Sequence, residues 1–525
     1  MLVSAWIMIG GMSLAAGPEA PASPAVVFAS QFDGEGALDG ATVAGEGVRV
    51  EPGAGPDGSP ALVVDRPASR GVGSATARWA LPIERLRGAR IKVEARVRGV
   101  AVAEPPKPWN GVKVMLHLSG PDEQWPQAAA GIGTFPWSRL QSYVRVPDGA
   151  TAAELVLGLE ATTGRVTFDD VRVTVLAPRR AVAAAGASEP DRRHDRDRLR
   201  GVMIGTGVDA DDLRTLARDW GANHVRWQLL WGGFPNGPAD TATREQYDAW
   251  LDGELDRLAR LLPVCREEGL AVLIDLHTGP GGRDPRDKSQ PLFRETAHQE
   301  HFLAVWERIV RRFRGDPAVW GYDLLNEPTI GAQPEGVRTW PELALETARR
   351  IRALDSRKAI VVEPSPWGSV DGLDTFEPLP GIAGVVYSVH MYQPHAFTHQ
   401  GVYDSPRGVS YPGVVAGQAW DRAAIRRALE PARRFERDFG VPIYIGEFSA
   451  IRWAPGTSAR DYLRDLVDIM EESGWDWAYH AYREWQGWSL EHGGDPDVAT
   501  PSPTPTDRLL LMKAYFARNR VKPTR

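Results

Sequence analysis

Eight short apolar runs alternate with amphipathic stretches from Leu199 onward, and residues 26–177 carry period-two alternation. The sequence therefore predicts an α/β protein, a (β/α)8 TIM barrel preceded by an all-β jelly-roll or sandwich domain. A third observation supports the barrel. Several of the apolar runs end in a charged or hydrogen-bonding residue at the same edge, which is where a barrel keeps its chemistry.

Taken in order, the first element is Leu2 to Ala16, largely apolar and followed by a Pro/Ala-rich run from Gly17 to Ala25. Its length suits the apolar region of an export signal and is short for a bilayer span, although no Lys or Arg precedes it. Residues 1–25 are read as an export segment, and the protein as secreted or periplasmic. No later stretch has 18 consecutive apolar residues, so no membrane span is expected.

In the sandwich, residues 26–177, Ile91, Val93, Ala95 and Val97 alternate with Lys92, Glu94, Arg96 and Arg98. Val112 to Leu118 repeats the pattern. So does Val166 to Val175, with a slip at Asp169–Asp170 that predicts a bulge. Residues 178–198, rich in Ala, Arg and Asp, read as a solvated linker.

From 199 to 525 the strand candidates are Val202–Gly205, His224–Trp231, Ala271–His277, Trp320–Asn326, Ala359–Glu363, Val385–Tyr392, Ile443–Phe448 and Trp475–Trp485. The helical stretches between them include Tyr247–Glu268, Gln299–Phe313, Trp340–Leu354, Arg422–Phe439 and Ser458–Ser473. A doubly wound sheet is the rival fold. It usually opens on a Gly-rich phosphate turn, and GVMIGTG at 201–207 is not one.

Composition narrows the function. The chain has 525 residues, 43% hydrophobic and 25% charged, which suits a globular protein with a sizeable core. Lys and Arg total 61 against 68 Asp and Glu, a net charge of −7 that argues against a nucleic-acid partner. The one cysteine, Cys265, excludes an intrachain disulfide and a Cys-rich zinc site. The 19 Trp are core packing or a stacking surface for a ligand. Trp79, Trp109, Trp125 and Trp137 of the sandwich are divided between those uses, so this domain is either a carbohydrate-binding module or a shield for the barrel. The oligomeric state is left open.

The strand ends carry the chemistry. Strand two holds Arg226 and strand three ends at His277. Strand four ends in Asn326, Glu327 and Pro328, strand six carries His390 and Tyr392, and strand seven ends in Glu447. Glu327 and Glu447 lie three βα units apart, so both carboxylates can reach one central bond. Glycoside cleavage with retention needs two carboxyl groups about 5–5.5 Å apart.

YDLLNEP on strand four, HMY on strand six and IGEFS on strand seven resemble glycoside hydrolase family 5, cellulase-like retaining glycosidases of the (β/α)8 clan. The resemblance spans roughly Leu199 to Arg518. It implies that Glu327 is the acid/base and Glu447 the nucleophile. It implies that Asn326 binds the sugar 2-OH and that Arg226 keeps the nucleophile ionised. His390 and Tyr392 would contact the two glutamates, and His277 would line the −1 subsite. Many members place a Trp under the −1 sugar from strand eight; Trp485 is the candidate here, with the register of that strand open. GRVTFDDVRV is similar to the last strand of carbohydrate-binding jelly rolls.

Plainer roles exist for each residue. Glu327 could cap a helix, Glu447 could be an ion-pair partner of Arg226, and His277 or His390 could be a hydrogen-bonded core histidine. His298 and His301 (HQEH) lack a third ligand and read as a solvated helix face. The loop TGPGGRDPRDKSQPLF is expected to face substrate, with Arg283 and Asp284 either in the cleft or at a surface turn. The resulting expectation is a retaining endo-β-glycosidase acting on a polysaccharide or oligosaccharide, a β-glucan or β-mannan, with no metal or organic cofactor. The alternatives are a transglycosylase, an inactive sugar-binding protein and a metal-dependent barrel hydrolase.

Overall fold

The computed structural model describes residues 25–176 and 191–519, except 35, 108, 122, 129, 233–236, 286–287, 332 and 403–404. The export-like segment lies outside the described residues, apart from Ala25, and so does most of the expected linker.

Eight parallel strands close into a barrel. We number them β1 (Arg200–Ile204), β2 (His224–Gln228), β3 (Ala271–Asp275), β4 (Val319–Asp323), β5 (Ala359–Val362), β6 (Val385–Met391), β7 (Ile443–Phe448) and β8 (Asp476–Tyr482). The barrel interior is layered. Leu199, Ala271, Leu273, Trp320, Ala359, Val361, Val386, Tyr444 and Ala478 form an apolar floor. Above it the inward positions turn polar. Outward strand residues such as Val225, Trp227, Ile274, Tyr387, Ile445 and Trp477 pack against the helices. Below that polar level each strand is apolar on both faces because both are covered, which explains the near-continuous apolar runs.

The helices Arg244–Glu267 and Trp340–Leu354 begin with capping boxes, Thr243 with Gln246 and Thr339 with Glu342. The stretch read as one helix from Arg422 to Phe439 is two, Arg422–Ala428 and Glu430–Phe439, with Pro431 in the first turn of the second. After β5 there is a 3-10 turn, Val370–Asp374, in place of an α-helix.

The N-terminal region is two antiparallel sheets around their own core, which includes Leu62, Val93, Leu116, Leu157 and Phe168. The expected bulge is present: pairing with strand Arg90–Val102 shifts between Asp169 and Arg172. Trp79 is buried in this core, whereas Trp109 and Trp125 are exposed.

Residues 191–198 differ from a solvated linker: they pack under the barrel. His194 Nε2 lies 2.9 Å from Asp476 Oδ2, Trp320 donates to the Arg192 carbonyl, and Arg196 donates to that of Gly269. Carbonyls left open just past two helix ends, those of Ser356 and Gly269, accept from Arg193 and Arg196.

Candidate active site

The upper interior is built around Arg226, fully buried on β2. Its Nε donates to Asp323 Oδ2 at 3.0 Å and its Nη1 to Glu447 Oε1 at 2.7 Å. Its Nη2 donates to Glu363 Oε1 at 2.9 Å and Asn326 Oδ1 at 3.1 Å, and lies 3.3 Å from Asp275 Oδ1. One guanidinium thus holds groups from β3, β4, β5 and β7 in a fixed geometry, which its planar fork of donors suits.

Glu447, 3% exposed, is the most heavily partnered carboxylate. Besides Arg226 it accepts from the Tyr392 hydroxyl at 2.8 Å, and His480 Nδ1 lies 3.2 Å from the same oxygen. Burial opposes its ionisation, but the charges of His390, His480 and Arg226 outweigh that and hold it well below the usual carboxylate range. Asp323 goes the other way. Burial, with like charges on Glu363 and Asp275, raises it despite Arg226.

Glu327 follows the end of β4, with φ +48° in the left-handed region. Its backbone is held by two side chains of the barrel. Its N–H donates to Glu363 Oε2 at 2.8 Å, and Arg283 Nη2 donates to its carbonyl at 2.8 Å and to that of Asn326 at 3.1 Å. His390 Nδ1 lies 2.9 Å from Glu327 Oε1. Burial disfavours charge on His390, but Glu363, Glu447 and the bond to Glu327 raise it well above the ordinary imidazole value. A strongly basic imidazole therefore lies one hydrogen bond from Glu327. One carboxylate oxygen of Glu327 and one of Glu447 lie within 4.8 Å of each other.

The structure thus gathers Arg226, Asn326, Glu327, His390, Tyr392 and Glu447. Asn326 Nδ2 is buried with no acceptor among the described residues. His277 is held by Asp275, Nδ1 to Oδ2 2.8 Å, and lines a cleft with Trp231, Thr278 and Arg283. Trp485 is not brought to Glu447. β8 ends at Tyr482, its inward face is Asp476, Ala478 and His480, and the residue beside Glu447 is His480. Trp485 lies past the strand end, 38% exposed and edge-on to Trp453 and Trp488. His480 also lies 3.2 Å from Glu484 Oε2, and these carboxylates raise it to about 10 although burial opposes its charge. An imidazole, not an indole, therefore stands beside Glu447 on strand eight.

Two further expectations meet the structure. Arg283 is buried in the cleft rather than at a surface turn, with its guanidinium 4.9 Å from the Trp367 ring. His301 is buried on Asp248 at 2.9 Å, not on a solvated face. Asp275, Asp323, Glu363, His480 and Glu484 were not singled out from the sequence. Their signal was a charged residue at or just inside the end of an apolar strand run, as in AIVVE.

A family model described as cellulase, glycosyl hydrolase family 5, matches residues 193–486. Endoglucanase C of Acetivibrio thermocellus is 27% identical over 292 residues, covering 51% of this chain and 81% of its own length. Cellodextrinase A of Ruminococcus flavefaciens is 24% identical over 273 residues, covering 51% and 76%. Among solved structures, endoglucanase Cel5A from Thermotoga maritima aligns with a TM-score of 0.47 and 23% identity, over 62% of this chain and 100% of that one.

Proposed function

The chain belongs to glycosyl hydrolase family 5, and from that premise we propose that it is an endo-acting β-glucanase working by double displacement. The reading is carried by the contrast between two neighbouring carboxylates. Glu447 is held ionised by Arg226, Tyr392 and His480, while the one side-chain partner of the Glu327 carboxylate among the described residues is His390. Oxygens of the two within 4.8 Å fit retention, for which about 5–5.5 Å separates the carboxyl groups; inversion needs about 6.5–9.5 Å.

Glu447 attacks the anomeric carbon as Glu327 protonates the leaving oxygen. Tyr392 and Arg226 hold the attacking oxygens in place, and the free amide of Asn326 meets the sugar 2-OH. Glu327 then takes a proton from water, which releases the sugar from Glu447. Trp367, half-exposed on the loop that follows β5, offers its ring to the leaving-group sugar. β-Glucan is the substrate class because the relatives are named endoglucanase and cellodextrinase. A polymeric substrate fits the expectation of export.

The test is release of reducing ends from β-glucans, mannans and xylan, with proton NMR of the first product. Early β-anomer from β-glucan supports the reading; early α-anomer, or no activity on β-glucan, overturns it. Glu327→Gln is expected to lower glucan hydrolysis about 10²–10⁴-fold while sparing formation of the glycosyl-enzyme from dinitrophenyl glycosides, which leave without a proton.

Glu327, His390 and Glu447 each offer a ligand atom within 4.8 Å of the others, so a cation site needs consideration. Arg226 beside Glu447 and the proton on His390 oppose a cation there. Dialysis against a chelator is expected to leave the rate unchanged. A loss restored by a divalent ion would point to the metal-dependent reading.

A further inference from the structure

We propose that the N-terminal sandwich is a working part of the catalytic centre: it holds the two loops on the leaving-group side of the barrel mouth and so positions Glu327. The inference rests on the role assigned above to Glu327.

The first loop begins at Glu327 itself. Beyond it, Gln333–Pro334 leaves the barrel and pairs antiparallel with Arg139 and Ser138, adding an edge strand to one sheet of the sandwich. Proline is tolerated at such an edge because one side of it has no ladder to complete. The next residue, Glu335, receives a two-pronged contact from Arg96 of the neighbouring sandwich strand, with Nη2 to Oε2 at 2.9 Å. Bidentate pairs of this kind fix direction as well as distance.

The second loop follows β5 and carries Trp367 and the turn Val370–Asp374. Arg90, 4% exposed at the start of its sandwich strand, donates to the carbonyls of Asp374 at 2.9 Å and Thr375 at 3.2 Å and pairs with Glu377. The two loops are tied together where Trp367 N–H donates to the Pro328 carbonyl at 3.1 Å. From the barrel side Arg283 grips the carbonyls of Asn326 and Glu327 and lies over the Trp367 ring.

The strain at Glu327 gives the brace its purpose. A left-handed backbone at a residue with a Cβ persists only where its surroundings over-determine it. Arg283 and Glu363 supply one side of that constraint, and the sandwich supplies the other by fixing where the departing chain goes. An acid displaced by about 1 Å from its leaving oxygen loses about 10²-fold in rate. A loose tether between two independent domains needs neither a shared strand nor a buried arginine capping loop carbonyls.

The test uses the full chain with Arg90→Ala and Arg96→Ala combined. The readout is kcat/KM, which reports formation of the glycosyl-enzyme and not its later release with Glu327 as base, on aryl β-glycosides whose leaving groups run from dinitrophenolate to phenolate, beside wild type and Glu327→Gln. A mispositioned acid is expected to slow phenyl glycosides and glucan about 10²-fold and leave the dinitrophenyl substrate within about twofold. In the same background, Ser138→Cys with Pro334→Cys places two thiols across the paired strands. Oxidation is expected to recover the phenyl glycoside rate, and reduction to remove it again. Equal losses on every leaving group, or none, with the protein still folded by thermal melting, overturn the brace. If Glu327→Gln itself shows no dependence on leaving group, the role of Glu327 fails instead, so the two failures are told apart.

Discussion

Replacing Glu447 by glutamine is expected to lower release of reducing ends from β-glucan at least about 10⁴-fold, because the amide cannot form the glycosyl-enzyme. The fold should survive, since the amide oxygen can still accept from Arg226 and the Tyr392 hydroxyl, which bonds the other carboxylate oxygen, can turn to accept from the amide NH2. Azide separates this role from that of Glu327. With Glu447→Ala, azide enters from the vacated face and yields the α-glycosyl azide; with Glu327→Ala it attacks the glycosyl-enzyme and yields the β product. Wild-type activity should also persist in acid. His390, His480 and Arg226 keep Glu447 ionised well below the usual carboxylate range, so the acid limb of kcat/KM lies below an ordinary glutamate. Retained glucan turnover in Glu447→Gln would remove the double displacement from the reading.

Arg226→Ala is expected to be the most destabilising change in the barrel, at about 3–5 kcal/mol, because it leaves buried carboxylates without their counter-charge. Four are within reach of the guanidinium: Asp275, Asp323, Glu363 and Glu447. The pH dependence carries a sign. In wild type Glu447 has a lowered folded value, so its contribution is present above its unfolded value and lost only as pH falls through the lowered one. Without Arg226 the buried carboxylates rise above their unfolded values, and the folded state then binds more protons than the unfolded one. The deficit of the variant, read as a melting temperature against wild type, should therefore shrink from pH 7 to pH 5. A deficit that grows in that range would show that Arg226 is not the counter-charge of this cluster.

Much of this was legible in the sequence because each strand reports its own end. Apolar runs of four to seven residues gave the barrel strands, and the polar residue closing each run gave Arg226, His277, Glu327, His390 and Glu447. Strand eight was not legible. In AYHAYREW both alternations contain aromatic and charged residues, so either register leaves a ring to face the site, and the choice of His480 over Trp485 depends on where β8 stops. Asp275 and Asp323 were hidden for another reason. A carboxylate buried one or two residues inside an apolar strand is stable only beside a cation from another strand, and Arg226 is distant from both in the chain. The contacts of Arg90 and Arg96 were unreadable on the same ground: alternation shows that they face outward, not what they meet.

The segment 191–198 under the barrel bears on how this protein can be recombined. His194, Arg196 and the carbonyl of Arg192 are spent on closing the lower end of the barrel. A chimera joined at Leu199, where the first barrel strand begins, would uncover Asp476 and the indole N–H of Trp320 and inherit a leaking base. A junction placed before Asp191 keeps that plug with the barrel, but a replacement module would still have to supply the contacts that Arg90 and Arg96 make to the barrel loops.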